Sequence, residues 1–289
     1  MAPTVVPLIY VFFLLMVTAV WGWTFVLVKD AITHYPTLPF LQLRFILAFL
    51  VMAIVVHRLP ARKEVRVGVA AGGVLAAGYL TQTVGLTMTS PGNSGLITGL
   101  FVVFTPLIDR IFGVRLRWWT LTAVAAALIG TVLLVGGPAG VGLGDILTVA
   151  CALMFALHIV LLSHWSPGLR SAPLAMVQMG TSALIFTGGG SWTLRFPSQD
   201  VWIAIVITGV FASALAFYIQ TWAQQHLSAS RTALILTTEP AWALAAAVIL
   251  AGQRFGPLQA VGAALVLSAI VGHEVAHLKF KAHGDEAKA

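Results

Sequence analysis

From Val5 to Val28 the chain runs without a single charged side chain, and stretches of the same kind recur along its whole length, separated by short clusters of Arg, Lys, Asp, Pro or Gly. A helix needs about 20 predominantly apolar residues to cross the hydrocarbon of a bilayer. Inside that layer every backbone N–H and C=O must be satisfied within the segment, so a helical bundle is the default architecture. Ten such segments can be placed. The first five lie near residues 5–28, 39–57, 66–87, 92–112 and 117–136, and the second five near 145–163, 172–190, 200–222, 229–250 and 256–276. The seventh, which ends in Gly188, Gly189 and Gly190, is the weakest of them. With 59% hydrophobic and only 9% charged residues, where a soluble domain carries about a quarter charged, the expected fold class is an all-α integral membrane protein of about ten transmembrane helices.

The net charge of +7 would point to nucleic acid in a soluble protein. Here the basic residues sit between apolar runs and read as topology signals, with the lipid bilayer as the partner and no nucleic acid. If the N-terminus is inside, the inner loops and tail hold Arg58, Arg62, Lys63, Arg66, Arg110, Arg115, Arg117, Arg170, Arg231, Lys279, Lys281 and Lys288, twelve of the 16 basic residues. The outer side holds Lys29, Arg195 and Arg254, and Arg44 lies within a helix. The positive-inside rule then places both termini in the cytoplasm of a bacterial-type inner membrane. Trp118, Trp119, Trp165, Trp192 and Trp202 fall near predicted helix ends, where an indole sits at headgroup level. The N-terminal stretch lacks the basic region and cleavage site of a secretory signal and reads as the first membrane helix. Cys151 is the one cysteine, so neither a disulfide framework nor a multi-cysteine metal site is expected. No cofactor is expected either.

Internal similarity divides the chain. Residues 82–107 can be laid on 220–241: Gln82-Thr83 matches Gln220-Thr221, Ser90 matches Ser228, and Leu96-Ile97 matches Leu234-Ile235. Pro106 meets Pro240 only across a four-residue gap. Each half closes with a similar Ala/Leu/Gly-rich helix. The expected domains are a first five-helix repeat over 1–138, a second over 139–278, and a short polar cytoplasmic tail over 279–289. Five helices is an odd number, so the second repeat crosses in the opposite sense, an arrangement that puts transporter binding sites at the midplane between the halves. Pro106 and Pro240, each removing a hydrogen bond within a predicted helix, are expected hinges.

Trp21-Gly22-Trp23-Thr24-Phe25, Arg44-Phe45, Ser90-Pro91-Gly92-Asn93-Ser94-Gly95, Thr105-Pro106, Ser228 to Ala233 and Glu239-Pro240 occur in an order and spacing that resembles the drug/metabolite transporter superfamily, specifically EamA-type ten-helix proteins. The YddG-like exporters are the most similar in character. That resemblance implies export of amino acids and related metabolites by alternating access. Such domains often end their fourth and ninth helices with Gly-Glu or Arg-Glu, whereas this chain has Val114-Arg115 and Gly252-Gln253, so no role of those glutamates is carried over.

Glu239 sits mid-helix, where an ionisable group is costly and functional by default. It reads either as a ligand for a substrate amine or proton, or as a structural acid beside Pro240. Arg44 lies five residues after Pro39, about 8 Å below the outer helix end. It reads as a gate or charge partner, or as a side chain snorkelling to the interface. His158 shares a helix face with Cys151 and Phe155 and reads as a ligand contact or as a histidine satisfied within the bundle. Ser94, Thr98, Phe101 and Thr105 form one polar-aromatic stripe, and Ser213, Phe217, Gln220 and Gln224 a second. Such stripes are either interhelical hydrogen-bond seams or walls of a shared cavity. Trp21, Tyr79, Gln82, Tyr218 and Trp242 are further candidate walls.

A phosphorylated solute would call for deep basic residues, and only Arg44 is available. Neutral or zwitterionic small molecules fit better, amino acids first and lipophilic cations second, and a passive channel is the rival class. Gly92-Asn93-Ser94-Gly95 and Gly142-Leu143-Gly144-Asp145 imitate intramembrane protease motifs. The first has only His158 as a base and the second lacks a deep partner aspartate, so no enzyme is expected; Asp145 reads as a helix cap. Small residues such as Ala260, Gly262, Ala263 and Ala264 leave a monomer or a homodimer open.

Overall fold

A computed structural model describes residues 8–113, 118–134, 140–189, 196–236 and 238–286. Val114, Arg115, Arg117, Gly190, Trp192, Arg195 and Lys288 lie outside the described residues. The chain is an all-α integral membrane protein. Its elements are α1 (Leu8–His34), α2 (Thr37–Val55), α3 (Arg62–Met88), α4 (Pro91–Thr98), α5 (Phe101–Asp109) with a 3-10 turn at Arg110–Phe112, and α6 (Trp118–Leu134). They continue as α7 (Leu143–Trp165), α8 (Ser171–Gly189), α9 (Gln199–Val206), a π-helical segment (Ile207–Leu215), α10 (Ala216–Gln224), α11 (Ala229–Leu236), α12 (Glu239–Ile249) and α13 (Pro257–Glu286). Among the described residues six helical stretches are long and apolar enough to span a membrane, namely Leu8–His34, Thr37–Val55, Arg62–Met88, Pro91–Phe112, Leu143–Trp165 and Gln199–Gln224. α12 and Pro257–Ala269 are shorter apolar helices.

Local chemistry sets the ends. Ser90 caps α4 by accepting from the Asn93 amide at 3.2 Å, and Ser228, its partner in the internal alignment, accepts from the Arg231 amide at 3.4 Å. Asp145 accepts from the Gly142 amide (3.0 Å) and from Thr89 Oγ1 (2.8 Å), the capping role its position predicts. α1 outruns its expected end at Val28 because Lys29 turns onto α3. Its ammonium donates to the carbonyls of Leu86 (2.7 Å), Thr87 (3.1 Å) and Thr89 (3.2 Å), a cation on the negative end of a helix dipole. α13 continues from the last apolar segment into the polar tail, as far as Glu286.

The expected kinks are displaced. The fourth transmembrane unit breaks at Gly99-Leu100, between α4 and α5, with Pro106 lying well inside α5. The backbone there switches to tighter bonds, Leu100 N to Ile97 O at 3.0 Å and Val102 N to Gly99 O at 3.2 Å. The ninth breaks between Leu236 and Glu239, and Pro240 sits in the first turn of α12, where a missing N–H costs nothing. Continued without a gap, the internal alignment brings Gly99 opposite residue 237 and Phe101 opposite Glu239. The breaks are equivalent; the prolines are not.

Packing joins the first half of the chain to the second. α3 lies against α7 and α8, α2 against α8 and the π segment, α1 against α12 and α10, α12 against α4, α5 against α7, and α6 against α13. Gly95 lets α4 approach α12, since a Cβ there would sit 2.2 Å from Ala243 Cβ. Bonds also tie the halves at both ends. At the end rich in Arg and Lys, the Arg170 guanidinium donates to both Glu64 oxygens (2.9 and 2.8 Å) and to Leu59 O (2.9 Å), and His164 Nε2 meets Asp109 Oδ1 at 2.6 Å. At the other end Gln253 Nε2 donates to Ser90 Oγ at 2.9 Å.

Candidate functional site

A narrow cavity of about 40 Å³ lies where the halves meet, walled by α1, α2, α3, α5, α7, α10, α11 and α12. Its lining has the character of small-molecule sites, which are apolar with a few placed polar groups. Aromatic rings set its shape: Trp21 and Phe217 have centroids 5.2 Å apart, Tyr79 and Phe155 5.4 Å, and Tyr79 and Phe217 6.0 Å.

Arg44 is turned inward. It is 3% exposed; its Nε donates to Ser213 Oγ at 2.8 Å and its Nη2 to Tyr79 Oη at 3.1 Å, while Cζ lies 4.4 Å from the Tyr79 ring centroid. Snorkelling is therefore overturned. Direction around α2 decides the outcome, and α2 faces the π segment. Gly209 in that segment brings the two backbones together, a Cβ there falling 3.0 Å from Arg44 O. The π geometry also leaves the Ala212 carbonyl free to accept from Trp21 Nε1 at 2.8 Å.

Glu239 opens α12 with its side chain on the cavity wall. It is 4% exposed, and among the described residues no donor reaches its carboxylate and no cation pairs with it. Arg44 and Glu239 thus face the same cavity without neutralising each other. His158 Nε2 meets Gln178 Oε1 at 2.8 Å, and Gln178 Nε2 reaches Thr221 Oγ1 at 3.1 Å, so the histidine is both satisfied and part of the wall. Gln220 donates to Gln224 at 2.8 Å and leaves its own Oε1 without a partner.

Trp21, Tyr79, Gln82, Phe101, Phe155, His158, Phe217, Gln220 and Glu239 come together in the cavity, with Arg44. Thr105, Ser213 and Gln224 of the two stripes do not line it, and neither do Ser94, Thr98, Tyr218 and Trp242. Ser94 is fully buried with its Oγ unbonded, and Thr98 is buried behind Gln82, whose Nε2 points at it from 3.4 Å. Trp242 packs its Cβ on Gly22 and leaves its indole 41% exposed, and Tyr218 lines a separate groove. Sequence reasoning missed Gln178, whose sole signal is an amide in an apolar helix. It also missed the α1 wall of Thr24, Phe25 and Val28, which follows Trp21 at helical spacing.

An EamA-like transporter family model matches residues 8–136 and again 142–273. The chain belongs to the EamA-like transporter family. It is a multi-pass membrane transporter of the drug/metabolite type, built from the two repeats of that fold. It is 31% identical over 268 residues, 89% of this chain and 83% of the relative, to a protein of Archaeoglobus fulgidus described as an uncharacterized transporter. It is 26% identical over 288 residues, covering 89% and 91%, to a probable amino-acid metabolite efflux pump of Escherichia coli. A solved crystal structure, 20% identical, matches with a TM-score of 0.65 over 89% of this chain and 93% of its own; a shared fold is what that likeness shows.

Proposed function

We propose that this EamA transporter exports small zwitterionic metabolites, amino acids foremost, by alternating access of two inverted halves. The observation that carries this reading is the pair Arg44 and Glu239, one basic and one acidic side chain set apart in one aromatic cavity. A zwitterion supplies the missing counter-charge to each: its carboxylate to the guanidinium fork, its ammonium to the glutamate. An apolar side chain then meets the rings. The E. coli relative's description as an amino-acid metabolite efflux pump agrees in class.

The cross-half packing supports a two-fold pairing of the repeats, since the contact of the first transmembrane helix with the ninth is matched by that of the sixth with the fourth, and an odd number of helices per repeat makes that pairing inverted. The basic end faces the cytoplasm by the positive-inside rule. The lining runs outward to Val28 and Leu86 and takes nothing from the basic-end loops. That is the geometry of a carrier closed to the cytoplasm by Glu64–Arg170 and Asp109–His164. Transport then requires those ties to part, with bending at Gly99-Leu100 and at the α11–α12 break.

Uptake of labelled amino acids, sugar phosphates and lipophilic cations into proteoliposomes, with and without unlabelled solute inside, tests this. Saturable amino-acid flux accelerated by preloading is expected. Saturable flux of cations alone would replace the substrate with the second class, for which the unpaired Glu239 is the binding group, and unsaturable flux would replace the carrier with a channel.

A further inference from the structure

A second groove opens at the basic end of the bundle, between the end of α2 and the start of α8. It has a volume of about 380 Å³ and is much more open to the outside than the central cavity. Its lining combines apolar Val55, Val56, Ala172 and Pro173 with His57, Arg58, Arg170, Ser171 and Tyr218. The apolar wall runs on into side chains with no protein cover, Ile54 at 77%, Val55 at 51% and Leu59 at 90% exposure. Neither His57, Arg58 nor the Tyr218 hydroxyl has a hydrogen-bond partner among the described residues. Of the three cationic or imidazole groups, Arg170 alone is engaged, by Glu64 and Leu59 O.

Free donors beside uncovered apolar surface, at the level where membrane helices end, match an amphiphile with an anionic head and acyl chains. We propose that this groove binds the headgroup of an anionic phospholipid, its phosphate held by Arg58 and His57, with Tyr218 as a further donor and the acyl chains lying along Ile54 and Val55. A soluble anion would gain the donors but leave the apolar wall bare. A neutral zwitterionic lipid would bring its own cation against Arg58 and Arg170. Basic recesses at the ends of transmembrane helices are the usual means of selecting anionic headgroups. The site lies outside the solute cavity and touches the loop that carries Arg170, so occupancy bears on the tie at that end.

The full chain in mild detergent, titrated with dioleoyl phosphatidylglycerol or dioleoyl phosphatidylcholine and read by native mass spectrometry, tests the assignment. One phosphatidylglycerol is expected to bind in clear preference to phosphatidylcholine. Arg58→Gln is expected to weaken it about five-fold, the effect of one basic residue near a membrane surface, and Arg58→Lys to restore most of the loss. Arg231→Gln, an exposed cation on the start of α11, is expected to leave binding unchanged, and excess inorganic phosphate is expected not to displace the lipid. Equal binding of the two lipids, an equal loss in Arg231→Gln, or displacement by phosphate would each overturn the proposal. Both substitutions fall on exposed side chains, and a retained unfolding temperature confirms that a loss reports the site.

Discussion

Ser213→Ala isolates the one bond that aims Arg44 while leaving every charge in place. Ser213 is fully buried and accepts from Arg44 Nε at 2.8 Å; a hydrogen bond to a charged group contributes about 1.5–3 kcal/mol. The guanidinium keeps Tyr79 Oη and the Tyr79 ring, so the lower bound applies. At 1.4 kcal/mol per factor of ten, KM for an amino acid rises about tenfold. Turnover changes less, because the interaction serves binding. The decarboxylated amine of the same amino acid has no carboxylate for Arg44 to hold, and its KM stays put. Ser182→Ala is the control: its Oγ is equally buried and donates to Gly72 O at 3.1 Å, outside the cavity. Ser213→Thr retains the hydroxyl and most of the affinity. Proteoliposome uptake of both solutes by the three variants and the unaltered protein reads these values. Parallel shifts for amino acid and amine in Ser213→Ala, or no shift in a folded variant, would refute Arg44 as the carboxylate subsite.

Glu239→Gln removes the anionic subsite and raises KM for amino acids about tenfold or more by loss of a charge-assisted contact, while the matching desamino carboxylic acids change little; equal loss for both solutes contradicts the assignment. Gly95→Ala places a methyl 2.2 Å from Ala243 Cβ and destabilises by about 1–3 kcal/mol. It is read as a lower unfolding temperature in detergent that Ala243→Gly restores, and failure of that rescue refutes the contact. Glu64→Gln weakens the bidentate bond to Arg170 and opens the basic end. A Ser163→Cys reporter in a Cys151→Ser background then labels faster with a membrane-impermeant maleimide added on that side, and unchanged labelling denies the tie a gating role.

The bundle was legible because hydropathy is additive along a segment and needs no tertiary information. The site was legible only in part, because membership of a wall depends on rotation about each helix axis. Trp242 lies three residues after Glu239 and by spacing belongs on its face, yet it packs on Gly22 and looks outward. Arg44 was left between facing inward and snorkelling, because the partner that turns it inward sits in a π segment whose register no apolar period announces. The prolines drew attention as helix breakers, and both lie beside the breaks rather than at them. Gly99, whose missing Cβ leaves room for Pro240 Cγ at 2.3 Å, was the better signal.

The same gapless alignment that equates the two helix breaks bears on the dipolar solute proposed for the cavity. Tyr79 falls opposite Phe217, Gln82 opposite Gln220 and Phe101 opposite Glu239, and all six line the wall. In the first two pairs the halves repeat each other in size and shape, an aromatic ring against a ring and an amide against an amide. In the third they diverge, a neutral ring against a carboxylate. Had both members of that pair been acidic, two like charges would face one dry cavity and oppose ionisation. A single glutamate, opposed by phenylalanine in its own pair and complemented by an arginine from α2, gives the cavity an electrostatic direction that its repeated framework lacks. A solute with separated opposite charges has one preferred orientation in such a field, whereas a purely cationic solute leaves Arg44 uncompensated. The amino acid and its amine therefore differ most where the two halves have stopped resembling each other.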